Sequence, residues 1–220
     1  MSWLLLLSAL ASGCASEIFK PDNHSTYLNV ETQETRVPSL YNLTFDQTSG
    51  SYWTSAFLTT TTGTQYLALS HILGPICKSS LLNLDTLEYS NNLDYGATSQ
   101  NTSTSPSTPS TGFHISAGNG NCALGSTSSD LISEMYTSGT TPDYAYNLIW
   151  QSTSKVLLNG GNGAFTYGPN FANSTEWSIP AGTTSGTLTL SNNETLTIDP
   201  ARSIIWYDHQ KGAGASQKWT

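Results

Sequence analysis

Beyond an apolar opening run, the chain is patterned in short segments whose residues alternate between apolar and polar. Residues 51–58 read as a strand, a polar turn follows at Thr62-Gly63-Thr64, and 65–73 read as a second strand, which predicts a hairpin stopped by Gly74-Pro75. Residues 81–89 alternate as well, with Leu82, Leu84, Thr86 and Glu88 on one side and Leu81, Asn83, Asp85, Leu87 and Tyr89 on the other. That pattern predicts one half-covered strand. Residues 113–115 resume a short strand, 129–135 form the best helical candidate, and 144–150 return to strand character. Gly160 to Gly163 read as a turn between strand-like pieces at 155–158 and 165–167.

The last third is the most regular. Residues 176–180 lead to a predicted turn at Ala181-Gly182, and 186–190 form a strand with Leu188 and Leu190 on one face. Asn192-Asn193 turn the chain back, and 195–198 return as the partner with Leu196 and Ile198 sharing a face. After Asp199-Pro200-Ala201, residues 203–210 form a strand with Ile204, Trp206, Asp208 and Gln210 on one side and Ile205, Tyr207 and His209 on the other. Many short strands with frequent turns predict an all-β fold, an antiparallel barrel or sandwich.

The opening run changes the setting. Leu4 to Leu7, continued by Ala9, Leu10 and Ala11 and followed by small residues, read as a signal peptide over 1–15 cleaved after Ala15, with a degenerate lipoprotein box as the alternative. The run is too short to span a bilayer, so no membrane partner is expected after cleavage. The expected mature domain is 16–220, with a Ser/Thr/Pro-rich surface loop over 97–111. Localisation is expected to be secreted. Two cysteines survive processing, Cys77 and Cys122, and in an oxidising compartment they most simply form one disulfide. Sequons at Asn23, Asn42, Asn101, Asn173 and Asn193 predict glycosylation. The net charge is −8 and the basic residues are scattered singly, which argues against a nucleic-acid partner.

Candidate chemistry is sparse. His24, His71, His114 and His209 show no metal-ligand spacing, and no nucleophile elbow, phosphate loop or dinucleotide fingerprint is present. Neither a metal nor a cofactor is expected. His71, on a mostly apolar strand, is either a sheet-face residue or a proton-transfer group in a pocket, and Ser70 points to the opposite face. Trp206 beside Asp208 sets a large apolar wall next to a carboxyl; buried there, the acid would be raised into a proton donor. The alternative is a salt bridge or a turn cap.

The segment Trp206-Tyr207-Asp208-His209-Gln210-Lys211-Gly212, with Trp219-Thr220 behind it, resembles the secreted fungal branch of the hydroxyneurosporene synthase/AttH-like proteins, which includes kievitone hydratases and hetero-Diels–Alderases. Trp177-Ser178-Ile179-Pro180, Ser185-Gly186-Thr187-Leu188 and the Ser70-His71 segment are similar as well. Where the motif carries Arg and Trp, this chain has His209 and Lys211, and a histidine cannot reproduce the planar donor fork of arginine. The resemblance implies the first of two lipocalin-like β-domains, truncated before a C-terminal β-domain that would be its partner. It also implies a cofactor-free hydratase, dehydratase or pericyclase acting on a small hydrophobic or phenolic metabolite. A non-catalytic lipocalin-like binder and an inactive family member are the alternatives. The candidate catalytic groups are Asp208, His71 and His209, and the candidate substrate-binding residues are Trp206, Tyr207 and Trp53.

Overall fold

The computed structural model describes residues 50–102, 113–128, 131–159, 163–165 and 174–212. Outside them lie the signal-peptide segment, the sequons at Asn23, Asn42 and Asn173, most of the Ser/Thr/Pro-rich stretch, Gly160 to Asn162, Tyr167 and the Trp219-Thr220 pair.

Among the described residues, fourteen strands form one antiparallel sheet. The first half of the chain supplies β1 (Gly50–Thr59), β2 (Gln65–Leu73), β3 (Ile76–Asn83), β4 (Tyr89–Tyr95), β5 (Ser99–Thr102), β6 (Phe113–Ala117) and β7 (Cys122–Ser126). The second half supplies β8 (Glu134–Thr140), β9 (Tyr144–Ser152), the short β10 (Leu157–Leu158) and β11 (Ala164–Phe165), the long β12 (Ser174–Leu190), β13 (Thr195–Ile198) and β14 (Ile204–Lys211). Along the sheet the order is β4-β3-β2-β1-β14-β12-β9-β8-β7-β6-β5, with β10, β11 and β13 pairing β12 off that path. The sheet curls into a nearly closed, lipocalin-like barrel. Its interior is lined by alternate residues of each strand: Tyr52, Thr54, Ala56 and Leu58 from β1, Tyr66, Ala68, Ser70 and Ile72 from β2, and Tyr144, Tyr146, Leu148 and Trp150 from β9.

The β1–β2 hairpin has the expected bounds, and Gly74-Pro75 ends β2. Four expectations are corrected. Residues 81–89 are not one strand but the end of β3, a turn, and the start of β4. The Asn83 side chain accepts the backbone N–H groups of Asp85 (2.9 Å) and Thr86 (3.1 Å), and Leu87 takes a φ of 63°. An Asx turn thus overrides an apparent period of two. The helical candidate at 129–135 is, in its described part, a bend running into β8. Ser128 N–H donates to Ser126 Oγ and Glu134 N–H to Ser128 Oγ, so serine hydroxyls capture the amides a helix would use. The turn at Ala181-Gly182 is instead a β-bulge inside β12, where Pro180 and Ala181 together stand opposite Trp206. Part of the low-complexity stretch is also ordered pairing rather than loop, because β5 pairs β6.

Cys77 of β3 and Cys122 of β7 are disulfide-bonded, with Cα atoms 5.7 Å apart and a sequence separation of 45. The bond ties β3, next to one end of the strand path, to β7, near the other, beside hydrogen bonds from Asn121 Nδ2 to Asp94 (3.0 Å) and from Ala97 N–H to Asn119 Oδ1 (3.0 Å).

Candidate functional site

Strand β14 lies between β1 and β12, so each of its residues except Trp206, which faces the β12 bulge, has a partner on both sides. Pleating sends Trp206 and Asp208 outward and Tyr207 and His209 inward. The candidate residues therefore divide between two faces of one sheet. Asp208, Trp206, Trp53 and His71 share the outer face, and Tyr207 and His209 lie in the interior.

On the outer face the register builds a cross-strand row: Ser178 of β12, Asp208 of β14, Trp53 of β1, His71 of β2 and Lys78 of β3. The Ser178 hydroxyl, fully buried, donates to Asp208 Oδ1 and fixes the carboxylate against the sheet. Trp53 Nε1–H donates to Ser55 Oγ at 2.8 Å, which holds the indole in place beside the His71 ring (centroids 4.9 Å). His71 Nε2 shares a 2.7 Å hydrogen bond with Ser51 Oγ. Burial, and then the Lys78 charge, lower the pKa of His71 below its ordinary value, so its neutral form is favoured.

A second carboxyl joins this row. Glu176 sits on β12 opposite Gln210, diagonal to Asp208. Burial and then the Asp208 charge push its pKa up, against the hydrogen bond that Asn159 Nδ2 donates to its Oε1 (2.5 Å). Glu176 is thus the group held toward its protonated form by desolvation. Sequence reading gave that role to Asp208. The available signal was β12 itself: Trp177-Ser178 stood out in the sequence, and period two on that strand puts Glu176 on the face of Ser178's partner.

The interior face is aromatic. His209 is fully buried between Tyr52 (ring centroids 4.5 Å) and Trp177 (5.7 Å, stacked). Tyr207, also fully buried, meets Trp177 edge-on at 5.4 Å and Trp150 at 6.4 Å. Burial holds the Tyr207 phenol well above its ordinary pKa, with smaller contributions from Tyr52 and Asp208. Trp150 Nε1, Trp177 Nε1 and Tyr207 Oη are buried without a hydrogen-bond partner among the described residues. Such groups cost about 1–3 kcal/mol each when left unsatisfied. A separate cleft of about 230 Å³, between Tyr66, Leu81, Glu88, Tyr89, Asp143 and Tyr144, lies toward the opposite ends of β1 and β2. Among the described residues, no group of three or more His, Cys, Asp or Glu side chains is placed to hold a metal ion.

No protein-family model matches the chain. Two characterised fungal proteins do. Kievitone hydratase of Fusarium solani subsp. phaseoli is 33% identical over 211 residues, 92% of this chain and 55% of that protein. The dehydratase asqC of Emericella nidulans is 34% identical over 193 residues, 84% of this chain and 52% of that protein. The crystal structure of kievitone hydratase from Nectria haematococca superposes with a TM-score of 0.62 at 31% identity, covering 76% of this chain and 49% of that one. An AttH-type structure from Nitrosomonas europaea shares the fold, with a TM-score of 0.55 at 14% identity over 76% of this chain and 52% of that one. The chain spans about half the length of the curated relatives it matches.

Proposed function

We propose, from the premise that the chain is homologous to the kievitone hydratase/AttH-type fungal proteins over about half of their length, that it serves a hydratase or dehydratase reaction on a small apolar or phenolic secondary metabolite. The reacting groups are the outer-face carboxyls. Dehydration breaks one C–H and one C–O bond, forms a C=C bond and releases water; hydration is the reverse. It needs a base for the C–H proton and an acid for the departing hydroxyl. Glu176, raised by burial, is the acid, and the Asp208 carboxylate, anchored by Ser178, is the base. The single observation that carries this reading is that pair, one carboxyl raised partly by the charge of the other on one sheet face.

Two inter-strand spacings of about 4.8 Å separate Asp208 from His71 across Trp53. A flat substrate lying along the row would stack on Trp53, meet His71 and Ser51 at one end and present its reacting carbon to the carboxyls at the other. Trp206 and Phe57, both exposed on this face, supply further apolar wall. They also offer the surface on which a second β-domain, the proposed partner, would pack. The protein is exported and glycosylated, a reading supported by the disulfide and by the exposed position of Asn193 in the β12–β13 turn. The test is incubation with kievitone and with a panel of β-hydroxy ketones, read by mass spectrometry as gain or loss of one water. Glu176→Gln and Asp208→Asn should each slow turnover by about a hundredfold or more. Unchanged rates in both variants would sink the assignment.

A further inference from the structure

We infer that the cleft between Tyr66, Glu88 and Asp143, at the other end of β1 and β2 from the outer carboxyl row, binds a small primary ammonium ion with an apolar body. Three hairpin turns meet there. The β3–β4 turn brings Glu88 and Tyr89, the β8–β9 turn brings Asp143 and Tyr144, and the β12–β13 turn brings Ser191. Tyr66 of β2 and Leu81 of β3, both buried, close it from the barrel wall. The space is about 230 Å³, below the roughly 300–1,000 Å³ of pockets for drug-sized molecules, so the occupant is small.

The polar side of this cleft is negative. None of the residues around it is Lys, Arg or His. The Ser90 hydroxyl donates to Asp143 Oδ2 at 2.6 Å, and the Thr86 hydroxyl donates to Glu88 Oε2 at 3.1 Å, so both carboxylates are held in place. Among the described residues neither has an ion-pair partner. Burial first, then the charges of Glu194, Asp85 and Glu88, push the Tyr66 phenol above its ordinary pKa, which marks a field that favours a cation.

Tyr66 is the independent sign of a ligand. It is 5% exposed and lines the cleft, and its phenol makes no hydrogen bond with any described residue. Buried phenols ordinarily have a partner. The Tyr144 hydroxyl, by contrast, donates to Ser79 Oγ (3.1 Å), which leaves its ring to face the cleft. An ammonium ion satisfies these groups together. It donates N–H to Tyr66 Oη and to a carboxylate, and it lies against tyrosine rings, whose faces are negative. Leu81 and Leu190 then cover the apolar body. A bare metal ion fits less well, because no three acidic, His or Cys side chains among the described residues are placed to hold one.

Three probes of similar shape separate charge from apolar body: 2-phenylethylammonium, 2-phenylethanol and phenylacetate. The full chain is titrated with each by calorimetry at low salt. The ammonium ion should bind at least about tenfold tighter than the alcohol, phenylacetate should not bind, and added NaCl should weaken only the ammonium ion. Glu88→Gln, Asp143→Asn and Tyr66→Phe should each lower the ammonium affinity by about three- to tenfold and leave the alcohol unchanged. Where Tyr66→Phe does not fold, by circular dichroism, the two carboxylate variants carry the same expectation. Glu134→Gln, at the far end of the β8–β9 hairpin, removes one charge away from the cleft and should change no affinity. Nuclear Overhauser contacts should run from the probe ring to Tyr66, Tyr89 and Tyr144. Equal affinity for ammonium and alcohol would overturn the proposal, as would no saturable binding of the ammonium ion or contacts to other residues instead. So would a loss in Glu134→Gln as large as in Glu88→Gln, since that marks diffuse attraction to a chain of net charge −8.

Discussion

At His71 the environment works against charge from two directions, burial first and Lys78 second. A histidine whose folded pKa is lowered binds fewer protons folded than unfolded near its ordinary value of 6.5. Its contribution to stability is therefore full above pH 6.5 and is lost as pH falls toward the folded pKa. Glu176 runs oppositely: its folded pKa is raised, so its contribution is full below the ordinary 4.5 and fades as pH rises through the folded value. Between pH 7 and 5 the two slopes oppose one another. His71→Gln should therefore unfold in urea with a midpoint that falls less on acidification over that range than in the wild type. The same steepness in both proteins would mean that the sheet face hydrates His71 more than its packing against Trp53 implies. The alternation of residues 203–210 already separated Asp208 from His209 in the sequence. What it could not show was the neighbour on each side of β14, and the neighbours decide the chemistry. Ser178 anchors Asp208, Glu176 takes the raised pKa, and the His209 ring is clasped by Tyr52 and Trp177.

Strand β12 is the element on which both faces depend. Its first half pairs β14 and its second half pairs β9, and the bulge between Ile179 and Gly182 lets one strand serve both. Pro180 has no N–H to donate, so the ladder breaks where the bulge needs it to. Ala181 then takes partners from the loop after β9: Thr153 N–H donates to its carbonyl (2.9 Å), and its own N–H donates to Ser154 Oγ (3.0 Å). Gly182 sits against the Trp150 ring so closely that an added Cβ would lie 2.4 Å from Trp150 Cδ1 and 3.1 Å from Ile205 Cγ2. Gly182→Ala should destabilise by about 1–3 kcal/mol through overpacking against Trp150 and Ile205. Chemical denaturation of the variant beside the wild type checks that cost. Hairpins such as β1–β2 and β12–β13 were readable in the chain because their turns are local: Gly63 and Asn193 take positive φ within them. The bulge read as a turn because Pro-Ala-Gly carries the same local signature in either case. Only the continuing pairs on both sides of it, made by residues far away in sequence, distinguish them.

For the described barrel as a whole, closure is a matter of two edges. The strand path has free ends at β4 and β5, and unpaired edges invite foreign strands. The chain passes from one edge to the other within a few residues, and Cys77–Cys122 ties β3 to β7 across the same seam. The Asp94–Asn121 and Ala97–Asn119 hydrogen bonds line it. A bridge over 45 residues should restrain the unfolded chain by about 4 kcal/mol in the chain-entropy account. Cys77→Ser/Cys122→Ser should therefore lower the unfolding free energy by roughly that amount, measured by denaturant titration. The loss has a location as well as a size. The strands β12, β14, β1 and β2 that carry the proposed outer row pair through long, bulge-limited registers remote from the seam, whereas β4 and β5 each have a partner on one side only. Local opening should follow that asymmetry. Amide hydrogen exchange in the double variant should accelerate first and most in β4, β5 and β6, with β14 amides slowed nearly to the level of global unfolding. Uniform acceleration across all strands would show that the disulfide does not act at the seam but supports the barrel as one cooperative unit.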